Sequence, residues 1–204
     1  MKGHTTYISK IDSKFKLTTQ QNPYMFDAFK KLLLETKPSR ILEIGTAGGG
    51  TTLFIREYLD EIGLNNTQIK SFEVKEHKWF EPMRKRGIDI IIENIFSKSY
   101  REIEKPEFVN DFIQSEGTTI VLCDGGSKIN EFKTLAEYLK VGDIIMAHDY
   151  VDTKENFLNN YKHKIWNWRE IGDEHIEETC IKYNLKSFMK DIFDKAVWVC
   201  KIKE

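Results

Sequence analysis

The chain has 204 residues, of which 40% are hydrophobic and 12% aromatic, and its 31 basic and 32 acidic residues leave a formal net charge of −1. This length is enough for a domain with a buried core, and the composition excludes an intrinsically disordered chain. The balanced charge gives no electrostatic basis for binding nucleic acid, so we expect no nucleic-acid partner.

The cysteines and the hydropathy pattern bear on the cellular setting. Cys123, Cys180 and Cys200 are widely spaced and odd in number, which predicts neither a disulfide framework nor a Cys-x-x-Cys metal site. The N-terminus is polar and no window approaches ~18 consecutive apolar residues, so we expect no signal peptide and no membrane partner. A reducing, cytoplasmic location is the simplest expectation.

The first part of the chain carries little pattern until a proline. Residues 1–20 are rich in Lys, Ser and Thr, and we expect a lead-in or a flap over a site, followed by a single domain over residues 21–204. The apolar spacing of residues 24–36 predicts an amphipathic helix that begins with an Asn22 cap and Pro23. Pro38 is expected to end it.

Short apolar segments then alternate with helical patterns. We expect helices that end near residues 62 and 86, one over 97–114 that is interrupted at Pro106, and one over 129–139. The apolar segments predict five strands, at residues 41–44, 69–74, 88–92, 119–124 and 143–149. Their near-continuous apolar character is typical of parallel strands that are buried on both faces. The alternation predicts a doubly wound α/β sheet, in which ligands bind beyond the carboxyl ends of the strands.

The C-terminal part departs from this alternation. After a polar and aromatic stretch over residues 150–172, a helix is expected at residues 173–183. Two strands follow at residues 185–189 and 196–202, and a short turn around residues 191–195 joins them. Such a short connection predicts antiparallel pairing.

A glycine cluster follows the first predicted strand directly. Four of the six residues 45–50 are glycine, which lets the backbone approach a ligand closely and adopt positive φ. The helix after them directs free N–H groups toward the same place. The stretch predicts a small-molecule cradle.

Two cofactor classes use such a turn. The dinucleotide pattern Gly-x-Gly-x-x-Gly fits imperfectly, because Ala47 stands at the place of its second glycine. The other pattern has an acid two residues before the first glycine, here Glu43 before Gly45. A second acid, Glu73, ends the second strand and is placed to accept hydrogen bonds from ribose hydroxyls, and Asn94 follows the third strand.

With these residues the chain resembles the class I S-adenosylmethionine (SAM)-dependent methyltransferases over about residues 20–202. Residues 121–126 and 142–149 look like the metal-dependent O-methyltransferases of the catechol, cephalosporin-hydroxylase-like and macrocin types. The resemblance implies a Rossmann-like, mostly parallel seven-stranded sheet with an antiparallel C-terminal strand pair. It implies SAM as cofactor, bound by Glu43, Gly45, Thr46, Ala47, Gly48, Thr51, Glu73, Asn94, Ile95 and Asp124.

The chemistry is expected at the ends of the fourth and fifth strands, where Asp124, His148 and Asp149 stand. In the enzymes that the chain resembles, an aspartate and an acidic or Asp-Asn pair at these places bind Mg²⁺, so we expect a divalent metal, Mg²⁺ or Mn²⁺, here. The pair in this chain is His148-Asp149, and its imidazole suits Mn²⁺, Fe²⁺ or Zn²⁺ better than Mg²⁺. A metal would lower the pKa of an acceptor hydroxyl and fix its direction. His148 could instead be a catalytic base, since its pKa can lie near neutral, and Lys128 is a second candidate base.

Purely structural roles remain open for these residues. Asp124 and Asp149 could cap the helices that follow them, and Lys128 could be a solvated side chain on a first helical turn. Trp166 and Trp168 could stack on a sugar or another ring, or pack against the sheet edge.

The sequence therefore predicts a SAM-dependent methyltransferase that methylates a hydroxyl on a small molecule or sugar with the help of a divalent metal. The alternatives are a metal-independent methyltransferase with His148 as base, a non-catalytic cofactor-binding or oligomerisation module, and a small nicotinamide dehydrogenase. Edge strands and the aromatic C-terminal part are consistent with a homodimer.

Overall fold

A computed structural model describes residues 4–99, 102–104 and 106–204. Within these ranges the strands are β1 (Thr6–Ile8), β2 (Lys16–Thr18), β3 (Arg40–Ile44), β4 (Gln68–Glu73), β5 (Ile88–Ile92), β6 (Thr119–Cys123), β7 (Ile144–His148), β8 (Leu185–Ser187) and β9 (Trp198–Lys203). The α-helices are α1 (Tyr24–Thr36), α2 (Gly50–Glu61), α3 (Phe80–Arg84), α4 (Pro106–Gln114), α5 (Lys128–Leu135), α6 (Lys154–Asn156), α7 (Asp173–Lys182) and α8 (Lys190–Ala196).

The main sheet has seven strands in the order β5-β4-β3-β6-β7-β9-β8. The first five strands in this order are parallel, and β9 runs antiparallel to both of its neighbours, β7 and β8. This confirms the predicted doubly wound sheet with an antiparallel C-terminal pair. The chain leaves β3 toward β4 on one side and later returns to β6 on the other, so a crevice opens where β3 and β6 end.

Helices cover both faces of this sheet. Buried apolar side chains of α1, α2, α3 and α8 form one core with the sheet, and those of α4, α5 and α7 form the other. Every residue of β3, β6 and β7 is buried, as their continuous apolar sequences predict. No helix of the described residues is long and apolar enough to cross a membrane.

Two local predictions are wrong. The helix expected over residues 97–114 begins only at Pro106, a residue suited to a first helical turn because it lacks an N–H group. Before it, Phe96 and Ile103 form an antiparallel bridge, while Tyr100, Arg101 and Lys105 lie outside the described residues. The turn expected around residues 191–195 is helix α8, whose buried Phe193 packs into the core.

The N-terminal segment forms a hairpin of β1 and β2, and we call residues 4–21 the strap. Residues 1–3 lie outside the described part of the chain. The buried Glu57 carboxylate of α2 anchors the strap: it accepts hydrogen bonds from the Tyr7 hydroxyl at 2.8 Å, the Ser9 hydroxyl and the Lys10 backbone N–H at 2.8 Å. Arg86 Nη1 donates to the same carboxylate at 2.6 Å.

We expect Glu57→Gln to lower the free energy of unfolding by about 2 to 3 kcal/mol. The substitution removes the negative charge that pairs with Arg86 and accepts hydrogen bonds from the buried hydroxyls of Tyr7 and Ser9. Urea denaturation measures this. Glu61→Gln, one turn along the same helix, is the matched control. Glu61 pairs with Lys10 where both side chains are about half exposed, so its loss should cost less than about 0.5 kcal/mol. Equal costs for the two variants would show that the strap is not anchored at Glu57.

Candidate cofactor and metal site

A cavity of about 290 Å³ opens at the carboxyl ends of β3, β4, β5 and β6. Six of the residues predicted to bind the cofactor line it, namely Gly45, Ala47, Glu73, Asn94, Ile95 and Asp124. They come from four separate stretches of sequence, and the parallel sheet brings them to one edge. The rule that ligands bind beyond the carboxyl ends of parallel strands therefore locates this cavity correctly.

The turn after β3 is shaped by close approach and by backbone strain. Gly45 has a φ of +91°, and a Cβ there would lie 2.3 Å from the backbone oxygen of Asp124. Ala47 also has a positive φ, of 43°, and its N–H donates to Glu73 Oε2 at 2.7 Å. Since Val74 N–H donates to the other oxygen of Glu73 at 2.8 Å, this carboxylate is held in one orientation at the cavity wall.

Part of the glycine cluster contacts the strap. Gly48 and Thr51, which are expected to bind the cofactor, do not line the cavity. A Cβ at Gly48 would lie 2.4 Å from the backbone oxygen of Thr18, and one at Gly50 would lie 2.7 Å from it. Thr51 Oγ1 donates to the backbone oxygen of Thr19 at 3.1 Å. These residues let β2 pack directly on the start of α2.

Glu43 and Thr46 also do not line the cavity. The buried Glu43 carboxylate accepts hydrogen bonds from the hydroxyls of Thr52, at 2.7 Å, and Ser71, and Thr46 Oγ1 lies 2.6 Å from Ser71 Oγ. Burial raises the pKa of Glu43 to about 7, although the two hydroxyls partly oppose it. Glu43 therefore belongs to a buried hydrogen-bonded group beneath the glycine turn. Because its carboxylate is occupied there and does not line the cavity, a direct contact from Glu43 to the cofactor does not fit this geometry.

A second cavity, of about 260 Å³, adjoins the first, and Asp124 and Gly125 line both. One wall is aromatic: the His4 ring centroid lies 5.5 Å from that of Trp168 and 5.8 Å from that of Trp166. Trp166 is buried, whereas Trp168 is 40% exposed. The two tryptophans thus divide the roles left open by the sequence, with Trp166 packed and Trp168 accessible.

Asp124, His148 and Asp149 come together beneath this second cavity. His148 Nδ1 lies 3.2 Å from Asp124 Oδ1 and 3.7 Å from Asp149 Oδ1, and one candidate ligand atom from each residue lies within 4.8 Å of the other two. The indole N–H of Trp166 donates to Asp149 Oδ1. Asp149 has a φ of 59°, a strained conformation for a residue other than glycine.

The capping alternative for the two aspartates is wrong. Ser127 stands at the N-cap of α5, and the Thr153 side chain caps α6. Just before α5, the backbone N–H groups of Gly125 and Ser127 donate to the Glu131 carboxylate, to Oε2 at 3.1 Å and to Oε1 at 2.8 Å respectively. Asp124 and Asp149 therefore cap neither helix, and both line the second cavity.

Lys128 does not have the properties of a base. Its ammonium lies 3.0 Å from Glu170 Oε2, 3.2 Å from Asp149 Oδ2 and 3.7 Å from Asp124 Oδ1. Burial lowers the pKa of Lys128, but these carboxylates outweigh it and raise the pKa above its ordinary value. The expectation of a base required a neighbouring cation, and the structure places acids there.

The donor set fits a divalent cation. Two carboxylate oxygens and one imidazole nitrogen are ligands that Mn²⁺ accepts. The carboxylates of Asp124, Asp149 and Glu170 outnumber the Lys128 ammonium by two negative charges when His148 is neutral. Of the two ring nitrogens of His148, Nδ1 is the one that lies beside the two carboxylates, while the buried Nε2 has no hydrogen-bond partner within the described residues.

Sequence reasoning missed several residues of this site: His4, Gln21, Glu131 and Glu170. Glu131 lies in the first turn of α5, where acids commonly serve the helix N-terminus, and this signal could have found it. No local pattern marks the other three, because each reaches the site through contacts distant in sequence.

No family model and no curated protein matches the sequence. Solved structures do match it. The apo structure of CmcI-N160 has a TM-score of 0.61 at 14% identity and covers 91% of this chain and 73% of that chain. The Mg-SAM structure of CmcI-D160 has a TM-score of 0.59 at 13% identity, covering 91% and 74%. A Staphylococcus aureus protein proposed to be a caffeoyl-CoA O-methyltransferase has a TM-score of 0.57 at 16% identity, covering 88% and 83%.

At these identities the likeness establishes the fold alone. The chain has the Rossmann-like α/β fold of the class I SAM-dependent methyltransferases, as the sequence resemblance implied.

Because the pKa of Glu43 is raised in the folded state, we expect its contribution to the free energy of unfolding to depend on pH. In the folded state the Glu43 carboxyl stays protonated up to about pH 7, whereas in the unfolded state it loses its proton near pH 4.5. The contribution of this carboxyl to the free energy of unfolding is therefore fully present below pH 4.5 and is lost as pH rises through 7. Relative to the wild type, Glu43→Gln should therefore gain about 3 kcal/mol in free energy of unfolding between pH 4.5 and 8. Urea denaturation across this range measures the difference, and a difference that is constant with pH would contradict the burial of an acid at this position.

Proposed function

We propose that this chain is a SAM-dependent methyltransferase that methylates a hydroxyl group on a small molecule or sugar, assisted by a divalent metal. The observation that carries the proposal is the pair of adjoining cavities that share Asp124 and Gly125. One cavity has the residues expected of a cofactor site, and the other has a candidate metal centre beside an aromatic wall. Methyl transfer needs this adjacency, since donor and acceptor must meet in line.

The first cavity fits the cofactor by the chemistry of its lining. Glu73, held by two backbone N–H groups, would accept hydrogen bonds from the ribose hydroxyls. The Asn94 amide and the buried Ile95 would hold the adenine, and the turn at Gly45 would take the methionine part. The bound cofactor supplies the reactive sulfonium methyl group, so the protein contributes mainly alignment and exclusion of water.

In the second cavity, Asp124, His148 and Asp149 would hold the metal. A divalent cation bound there supplies the charge that lowers the pKa of an acceptor hydroxyl. The Lys128 ammonium partly neutralises the acidic cluster and bridges Asp149 and Glu170. Trp168 and His4 offer ring faces on which a sugar or an aromatic acceptor can stack.

One observation favours a metal-independent route as a second candidate. His148 is buried and its Nδ1 lies 3.2 Å from Asp124 Oδ1, the arrangement of a base that a carboxylate orients. In this route Asp124 accepts from Nδ1–H of His148, and Nε2, which is buried in this structure, would have to become accessible to take the proton of the acceptor hydroxyl. The two routes differ in whether transfer survives removal of divalent cations.

Calorimetry with S-adenosylhomocysteine, the demethylated cofactor, tests the cofactor site. We expect the wild type to bind it, and Glu73→Gln to bind about tenfold more weakly because one charged acceptor for the ribose is lost. Glu81→Gln, an exposed acid on α3, is the control and should bind like the wild type. The absence of binding heat from the wild type at millimolar ligand would defeat the proposed function.

A further inference from the structure

Gln21 is the last residue of the strap and is fully buried at the candidate metal site. Its side chain lies among Asp124, His148 and Trp198. Asp124 directly follows β6, His148 is the last residue of β7, and Trp198 is the first residue of β9. The strap therefore delivers a polar group to a site that otherwise belongs to the main sheet.

The neighbours of Gln21 fix which way its amide points. The indole N–H of Trp198 can only donate, and it lies 2.8 Å from Gln21 Oε1. The amide nitrogen must then face the site, where it donates to Asp124 Oδ2 at 2.8 Å and lies 3.4 Å from His148 Nδ1. A flipped amide would place two donors together at Trp198 and two acceptors together at Asp124.

The backbone around Gln21 is held as firmly as the side chain. Gln21 N–H donates to Thr19 Oγ1 at 3.1 Å, and its carbonyl accepts from Thr5 N–H at 3.0 Å. The preceding Gln20 has a φ of 55°, a strained conformation that the turn into the site requires. The Glu57 contacts anchor the rest of the strap, so Gln21 meets Asp124 from a fixed position.

We propose that Gln21 is a positioning residue that orients the Asp124 carboxylate for metal binding, an inference that rests on the proposed function. The amide of Gln21 occupies Asp124 Oδ2, and Oδ1 is thereby turned toward His148 Nδ1, 3.2 Å away. The two candidate ligand atoms converge because Gln21 holds the carboxylate from the other side. Partners of this kind set the orientation of metal ligands, and their loss typically costs 10- to 100-fold in metal affinity.

The test is a Mn²⁺ titration of the full chain, with free Mn²⁺ followed by electron paramagnetic resonance. We compare the wild type with Gln21→Met, which keeps the approximate volume of the side chain but removes the donor. Gln21→Asn is a second variant, in which the shortened amide cannot reach both Trp198 and Asp124. Circular dichroism establishes that each variant folds, and calorimetry with S-adenosylhomocysteine monitors the cofactor cavity.

Asn22→Ala is the matched control. Asn22 is a buried amide next to Gln21, but its side chain bonds the Lys195 carbonyl and the Tyr24 N–H and does not touch the metal ligands. This variant loosens the same stretch of chain without removing the contact to Asp124.

We expect both Gln21 variants to bind Mn²⁺ at least about tenfold more weakly than the wild type, with Asn22→Ala and all cofactor affinities within about twofold of it. Wild-type Mn²⁺ affinity in the Gln21 variants would overturn the inference. An equal loss in Asn22→Ala would also overturn it, as would a wild type that binds S-adenosylhomocysteine but no Mn²⁺. A wild type that binds no S-adenosylhomocysteine would instead defeat the proposed function.

Discussion

The close approach of two strand ends governs the candidate site. β3 and β6 run side by side, the backbone N–H of Asp124 donates to the carbonyl of Ile44 at 3.0 Å, and no side chain fits at Gly45 between them. This contact places Asp124 where the two cavities meet.

The strap gives the glycine cluster a second purpose. Gly45 serves the approach of two sheet strands, whereas Gly48 and Gly50 admit the backbone of β2 against α2. The strap continues from there to Gln21, which lies beside Asp124 and His148, and it contributes His4 to the aromatic wall. The N-terminal segment thus joins the glycine turn and both candidate sites, which lie on the same edge of the sheet.

Features that depend on local pattern were predictable from the sequence. Buried parallel strands leave continuous apolar runs, and the polar residues that end those runs, such as Glu73 and Asp124, necessarily meet at one edge. The antiparallel C-terminal pair followed from a short connection, even though that connection is helix α8 and not a turn. Features that depend on contacts distant in sequence were not predictable. The raised pKa of Lys128 is due first to Asp124 and Asp149 and then to Glu170, of which only Asp124 is close in sequence. The orientation of the Gln21 amide depends on Trp198, 177 positions away.

The proposed function requires that the edge of the sheet hold a cofactor and a metal side by side, with Asp124 lining both cavities. A crystal structure of the protein grown with S-adenosylhomocysteine and Mn²⁺ tests it most directly. We expect ligand density along Gly45, Glu73 and Asn94, and an anomalous manganese peak bounded by Asp124, His148 and Asp149. An empty first cavity at saturating ligand, or manganese bound only elsewhere, would contradict it.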